Sequence, residues 1–162
     1  MSEMTSSGSA KVTLPTDTQI LIIRQFDAPK HLVYKAWTTA ELVKRWWNAK
    51  RGEVTIADID LRVGGTWRWV MVTDDGFEVA FHGEYRELVP NEKIVTTEVY
   101  EGMPDAAALN TLTLTEEDGR TTMTLLVDHA SREHRDGHIE SGMEAGMQDA
   151  LDLLEQVAIS LR

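Results

Sequence analysis

The chain has 162 residues, of which 42% are hydrophobic and 27% are charged, as in ordinary soluble globular proteins. It contains no cysteine, which excludes disulfides, a thiolate nucleophile and cysteine-ligated zinc. The formal net charge of −11 disfavours nucleic acid and anionic membrane surfaces as partners, because both would be repelled.

The first 17 residues, Met1 to Asp17, are rich in serine and threonine. We expect them to form a flexible tail, with one folded domain over residues 18–162. The polar start of the chain lacks the apolar segment of a signal peptide. No apolar run approaches the ~20 residues that a membrane span needs. The expected location is therefore the cytoplasm.

Seven stretches alternate apolar and polar residues with the period of two that indicates a β-strand. They are Thr18–Phe26, Glu53–Leu61, Thr66–Thr73, Phe77–Leu88, Lys93–Tyr100, Leu109–Glu116 and Thr121–His129. Turn sequences such as Asp74-Asp75-Gly76 keep most connections short, which predicts an antiparallel meander. The expected inward face carries Trp67, Trp69, Met71, Phe77, Val79, Phe81, Gly83 and Tyr85.

Two short helices are expected between the first and second of these strands. Asp27 can accept backbone N–H bonds and Pro29 suits a first helical turn, so a helix should begin there and end near Trp37. A second helix is expected over Ala40–Trp47.

The last part of the chain, Glu133 to Leu161, repeats apolar residues at steps of three and four, which predicts one helix of roughly 40 Å. Its apolar stripe is Ile139, Met143, Met147, Ala150, Leu154, Val157 or Ala158, and Leu161. A sheet with one apolar face must be covered. We therefore predict an α+β fold, in which a curved antiparallel sheet of about six to seven strands wraps a long C-terminal helix.

Several motifs occur in a characteristic order. They are Phe26-Asp-Ala-Pro29, Ala36-Trp37 and Trp46-Trp47, then Asp60-Leu-Arg-Val-Gly-Gly65, Gly83-Glu-Tyr-Arg-Glu87 and Ser141-Gly-Met-Glu-Ala-Gly-Met147. The series resembles the START-like (SRPBCC, Bet v-like) helix-grip superfamily. The later motifs in this series resemble those of the subgroup named after the activator of heat-shock chaperone ATPase.

This resemblance implies a helix-grip fold with a cavity under the long helix. It implies function only at the level of a set of alternatives, since the superfamily includes lipid carriers, hormone receptors, cyclases and a co-chaperone domain. No catalytic residue is carried over from it, and the catalytic residues are unknown at this stage.

The candidate ligand-binding residues lie on the inward face of the sheet and on the terminal helix. They are Trp67, Trp69, Phe81, Tyr85, Glu98, Tyr100, His129, Met143 and Met147. Apolar walls with a few polar groups are typical of small-molecule sites. Each aromatic ring is equally well explained as a residue that fills the core. Glu98 faces inward only if the alternation along its strand is assigned correctly, because a shift by one residue would turn it toward solvent.

Other polar groups have simpler explanations. Arg62 follows Asp60 by two residues and is expected to form a surface ion pair with it. His134 and His138 are four residues apart, a spacing that suits a metal on a helix, but no third ligand is evident and no metal is expected. Ser131 lies too close to His134 in one segment to form a catalytic relay.

The basic and aromatic residues from Lys44 to Arg51 stand out against the acidic composition. They are explained by a helix whose Trp46 and Trp47 pack on the sheet while the basic groups remain in water. A protein-docking patch around Trp46 and Lys50 is the alternative, and nucleic-acid binding is disfavoured by the net charge.

The leading hypothesis is a protein that binds an apolar or amphipathic small molecule between the sheet and the terminal helix, without a cofactor. One alternative is a co-chaperone-like module that stimulates a heat-shock chaperone ATPase. Another is a cyclase- or hydratase-type enzyme, which would need an acid/base pair in the cavity. A homodimer through an exposed sheet edge is also left open.

Overall fold

The computed structural model describes residues 2–3 and 10–162. The strands are β1 (Ser2–Glu3), β2 (Lys11–Leu14), β3 (Gln19–Phe26), β4 (Gly52–Ile59), β5 (Thr66–Thr73), β6 (Glu78–Val89), β7 (Lys93–Tyr100), β8 (Ala108–Glu117) and β9 (Arg120–His129). The helices are α1 (Lys30–Thr38), α2 (Ala40–Trp46), α3 (Arg132–Glu140) and α4 (Met143–Ser160).

All pairs in the sheet are antiparallel, and the order is β1-β2-β3-β9-β8-β7-β6-β5-β4. The α+β class and the antiparallel meander are therefore confirmed. The described residues form nine strands rather than six or seven. The register shifts within β4 and within β6, and such irregularities help a sheet to bend.

The additional strands lie in the segment that was expected to be a flexible tail. Strand β2 pairs with β3, and its Val12 is fully buried. Just before it, the backbone N–H of Ala10 donates to Gln148 Oε1 at 3.0 Å, and Gln148 Nε2 donates to the Ala10 carbonyl at 2.8 Å. Residues 2–3 and 11–14 therefore belong to the sheet rather than to a flexible tail. For residue 1 and residues 4–9 the tail prediction lies outside the described residues.

The terminal segment forms two helices rather than the single helix predicted. Helix α3 ends at Glu140 and α4 begins at Met143. Between them Gly142 has a φ of 85°, a left-handed conformation that glycine adopts without steric cost and that cannot continue an α-helix. The apolar period continues across this break, which is why periodicity alone did not reveal it.

The start of α1 also differs from the prediction. Its N-cap residue is Pro29, and no side chain of the cap residue accepts a hydrogen bond there. The carboxylate of Glu116, from the distant strand β8, instead accepts a hydrogen bond of 2.8 Å from the backbone N–H of Lys30. The N–H of Asp27 donates to Glu155 on α4 at 2.9 Å. Tertiary contacts thus replace the expected local cap.

Helix α4 packs against α1 and α2, and its buried residues join the core of the sheet. Arg24, which is only 3% exposed, extends from β3 to the helix and pairs with Asp152 at 2.8 Å and with Glu155 at 3.4 Å. Its guanidinium carbon also lies 4.8 Å from the centre of the Phe26 ring. These contacts fix the position of the helix over the sheet.

One residue of the expected inward face lies elsewhere. Phe77 is 70% exposed because β6 begins only at Glu78, and Phe77 belongs to the turn that precedes it. In that turn the N–H of Phe77 donates to Thr73 Oγ1 and its carbonyl accepts from the Thr73 N–H.

In the part of the chain that the structure describes, no helix has the length and apolarity required to span a membrane.

Candidate functional site

The inner face of the sheet carries a row of residues at the same level on neighbouring strands. Trp67 pairs with Gly83, Glu98 pairs with Ala108, and Ala108 pairs with His129. In the pairing of β6 with β7, His82 is opposite Val99 and Tyr85 is opposite Thr96. Gly83 is therefore opposite Glu98. Large and polar side chains therefore alternate across the sheet with two of the smallest, so the two residues opposite Glu98 carry a methyl group and a hydrogen atom.

Gly83 makes a close approach that only glycine permits. A Cβ atom there would lie 1.8 Å from the carbonyl oxygen of Thr97 and 2.7 Å from Nε1 of Trp67. The indole of Trp67 therefore lies against the backbone at this point, on the inner side of the sheet.

Glu98 faces inward, since it is paired with the buried residue Ala108. Nδ2 of Asn110 donates a hydrogen bond of 3.0 Å to Oε2 of Glu98. Burial raises the pKa of Glu98, and the hydrogen bond from Asn110 only partly opposes this effect. The side chain nevertheless keeps some accessible surface, so it is not completely sealed from solvent. The Oδ1 atom of Asn110 is buried and has no hydrogen-bond partner.

Aromatic rings line one side of this row. Trp67 and Trp69 lie 5.1 Å apart between ring centroids, and Phe81 and Tyr100 lie 5.2 Å apart. Trp47 from the end of α2 bridges the two pairs, at 5.7 Å from Trp69 and 5.8 Å from Phe81. The Nε1 atoms of Trp67 and Trp69 are buried without a hydrogen-bond partner. Tyr100 is 39% exposed and lies at the rim of the cluster.

Tyr85 lies deeper than the other rings and is 3% exposed. Burial, and secondarily the neighbouring Tyr34, raises the pKa of its phenol. The group therefore stays neutral and can donate a hydrogen bond at physiological pH.

His129 and His138 form the other polar end of the row. Nε2 of His129 and Nδ1 of His138 share a hydrogen bond of 3.0 Å, which links strand β9 to helix α3. Burial, together with repulsion from His129, lowers the pKa of His138 to about 4. Burial and the nearby His134 also lower the pKa of His129. Both rings are therefore mainly neutral at pH 7, and the Nδ1 atom of His129 is left without a partner.

The remaining predicted site residues are on α4. Met143 and Met147 are half-buried and pack against the core cluster. Their position on the first two turns of α4 places them on the helix that covers the sheet. Flexible thioether side chains at such a position can adjust to differently shaped neighbours.

Arg62 and Asp60, which were expected to pair on the surface, do not belong to this face, and neither does Arg68 of β5. Arg68 points outward and makes two hydrogen bonds to Glu101, at 2.8 and 3.0 Å. That contact, followed by one from His82, lowers the pKa of Glu101 to about 2. Arg62 and Asp60 form the expected exposed ion pair at 2.9 Å.

The docking patch around Trp46 and Lys50 does not exist as predicted. Trp46 is only 1% exposed, and its indole N–H donates to the carbonyl of Ala36 at 2.9 Å. Its ring lies 4.7 Å from Trp37 and 5.8 Å from Trp69. Lys50 remains exposed, so the basic groups lie in water while the tryptophan is part of the core.

Sequence reasoning missed two residues of the site, Asn110 and His138. Asn110 lies on the same face of strand β8 as the buried Leu112 and Leu114, since it precedes them by two and four residues. This spacing could have predicted that the amide of Asn110 faces inward. His138 was considered only as a metal ligand together with His134. Within residues 2–3 and 10–162, no group of three or more histidine, aspartate or glutamate side chains is placed to hold a metal ion.

Comparison with known proteins agrees with this architecture. The family model described as activator of Hsp90 ATPase homolog 1-like protein matches residues 27–158. A crystal structure from Rhodobacter sphaeroides is 24% identical, with a TM-score of 0.86, and the match covers 93% of this chain and 99% of that one.

Two further solved structures have similar folds at comparable distance. A crystal structure from Nitrosomonas europaea is 22% identical with a TM-score of 0.82, covering 91% of this chain and 97% of the other. A solution structure from Arthrobacter aurescens is 22% identical with a TM-score of 0.83, covering 92% and 91%. No curated protein shows significant sequence similarity. The chain therefore belongs to the family of activator of Hsp90 ATPase homolog 1-like proteins and has their START-like helix-grip fold.

Proposed function

We propose that this protein binds an apolar or amphipathic small molecule between the inner face of the sheet and helix α4. The supporting observation is a set of buried polar atoms without partners beside aromatic rings, namely Asn110 Oδ1, Trp67 Nε1 and Trp69 Nε1. Each such atom destabilises a folded protein by about 1–3 kcal/mol, and native interiors contain few of them. A bound molecule that supplies hydrogen bonds would remove this cost.

The surrounding side chains suit such a ligand. Trp47, Phe81 and Tyr100 offer ring surfaces, and Met143 and Met147 offer an adaptable apolar wall. Most small-molecule sites combine apolar walls with a few polar groups that fix orientation.

Native mass spectrometry of the gently purified protein, followed by denaturing extraction, tests the proposal directly. An added mass that is lost on denaturation would support it. Tryptophan fluorescence provides a second readout, because the tryptophans at positions 47, 67 and 69 lie beside the expected ligand.

A matched pair of variants locates the site. Ala108→Phe places a ring beside Glu98 on the inner face and should abolish binding. Leu109→Phe adds a ring to the adjacent position, which is 41% exposed on the outer face, and should bind normally. Circular dichroism must show that both variants fold. Equal binding by the two folded variants would refute a site on the inner face.

The family description also favours a second function, in which the chain stimulates a heat-shock chaperone ATPase. Trp46, the residue that was predicted to dock the chaperone, is buried and cannot serve this function. An Hsp90 ATPase assay with the purified protein tests the proposal, and an unchanged ATPase rate at saturating protein would reject it.

An enzymatic function is less well supported, because Glu98 and His129 are separated by strand β8 rather than in contact.

A further inference from the structure

The carboxyl group of Glu98 has an environment suited to one class of ligand. Its hydrogen bond comes from the neutral amide of Asn110, and in the described part of the chain no lysine or arginine forms a salt bridge with it. Arg24, the buried arginine of β3, is already paired with two carboxylates of α4. The inner face therefore offers a carboxyl group without a cationic partner.

Two features of the surroundings bear on what can bind that carboxyl group. The neighbours of Glu98 across the sheet are Ala108 and Gly83, which add no polar side chain beside it, and the Trp67 indole lies against the backbone at Gly83. The Oδ1 atom of Asn110 is a buried acceptor without a donor, on the same residue that already binds Glu98. An ammonium group carries three N–H donors and no acceptor, so it could satisfy both groups together.

Aromatic rings next to the carboxyl group favour a cation further. Tyr100 lies two residues from Glu98 on the same strand face, roughly 7 Å away along the backbone, and its ring contacts that of Phe81 at a tilted angle. Ring faces attract cations electrostatically, most strongly where water is excluded. The net charge of −11 also attracts a cation toward the protein as a whole.

We propose that the ligand is an amphipathic organic amine, whose ammonium group binds Glu98 and Asn110 and whose apolar body lies against Phe81, Tyr100 and Trp67. This inference rests on the proposed small-molecule function and specifies its ligand class. The alternative class is an organic acid, which would use the unpaired indole N–H groups of Trp67 and Trp69 but would be repelled by Glu98.

Three molecules that differ only in their polar end test the proposal: 4-phenylbutylamine, 4-phenylbutan-1-ol and 4-phenylbutanoate. Binding is measured by calorimetry and tryptophan fluorescence at neutral pH. The amine should bind at least about tenfold more tightly than the alcohol, as charge-assisted hydrogen bonds typically allow, and the acid should bind most weakly.

Variants of single residues show whether Glu98 causes the preference. Glu98→Gln should lower the affinity for the amine about tenfold and change that for the alcohol less than about threefold. Glu117→Gln removes the same charge from an exposed position and should leave all affinities unchanged. Asn110→Leu should also weaken amine binding, which provides a second test if one variant folds poorly. The amine preference should persist at higher salt, where attraction by distant surface charges is screened.

The outcomes separate the two proposals. Equal or tighter binding of the alcohol or the acid overturns the amine inference while supporting a small-molecule site. A preference for the amine that survives in Glu98→Gln also overturns it. Failure of all three molecules to bind, together with a bare mass in native mass spectrometry, overturns the small-molecule function and the inference with it.

Discussion

The burial of His138 beside His129 should make the stability of this protein depend on pH in a specific direction. Burial and the neighbouring ring lower the pKa of His138 from 6.5 to about 4 in the folded state. The unfolded chain should titrate near 6.5. Between these values the unfolded state binds more protons than the folded state, so the free energy of unfolding decreases as the pH falls. The contribution is complete above pH 6.5 and is lost toward pH 4.

The size of the effect follows from the interval between the two pKa values. At 1.36 kcal/mol per pH unit, the interval from 6.5 to about 4 corresponds to at most about 3 kcal/mol. About 2 kcal/mol of this should be lost between pH 7 and pH 4.5. The lowered pKa of His129 acts in the same direction.

Urea unfolding of the wild type and of His138→Asn, at several pH values from 7 to 4.5, measures the effect. The amide of asparagine can occupy the position of Nδ1 and bind His129 without titrating. The loss of stability on acidification should therefore be smaller in the variant by about 2 kcal/mol. His31→Asn changes an exposed histidine of α1 and should retain the wild-type pH dependence.

Comparison with the wild type at each pH is essential, because Glu98 acts in the opposite direction. Its raised pKa makes the folded state retain a proton that the unfolded state releases, so its cost grows as the pH rises above the unfolded value. This term is the same in wild type and His138→Asn and cancels in the difference. An identical pH dependence in the two proteins would refute the assignment of a lowered pKa to His138.

Three further predictions test other parts of the structure. Glu98→Gln should be more stable than the wild type in urea unfolding at pH 7, with the gain shrinking toward pH 4.5, and a loss at pH 7 would contradict a raised pKa. Gln148→Ala removes both hydrogen bonds to the backbone of Ala10, so it should lose about 2 kcal/mol and exchange amide hydrogens faster in β2, whereas unchanged exchange would mean that this contact does not hold the strand. Gly83→Ala should lower the free energy of unfolding by more than about 3 kcal/mol, because the new Cβ would collide with backbone atoms. Gly137→Ala, at a position in α3 with open space around it, should raise the free energy of unfolding by about 0.5–1 kcal/mol. Similar values for the two variants would refute the close approach at Gly83.

The amino-acid pattern predicted the class of the fold well, because alternation and helical period are local properties of the chain. The strand from Lys93 to Tyr100 was predicted with its observed bounds. The pattern was less informative at element ends. Phe77 continued the alternation but belongs to a turn, and Gly142 lies within a continuous apolar period but breaks the helix.

The candidate site was predictable only in part. Strand parity was enough to place Glu98 on the inner face, since opposite residues in a paired strand share a face. The aromatic residues of β5 and β6 were likewise expected there. That these residues bind a ligand stays a prediction, and the amide of Asn110 was overlooked because an isolated asparagine in a strand carries no strong motif.

By itself, the sequence determined which segments alternate, which segment has the long helical period, and the order of motifs that identifies the family. Tertiary structure decided which polar groups meet. His129 on β9 contacts His138 in the last turn of α3, Asn110 contacts Glu98 on the adjacent strand, and Gln148 binds Ala10 from the far end of the chain. These pairings depend on register and on the placement of helices over the sheet, and both follow from packing of the whole core rather than from any local pattern.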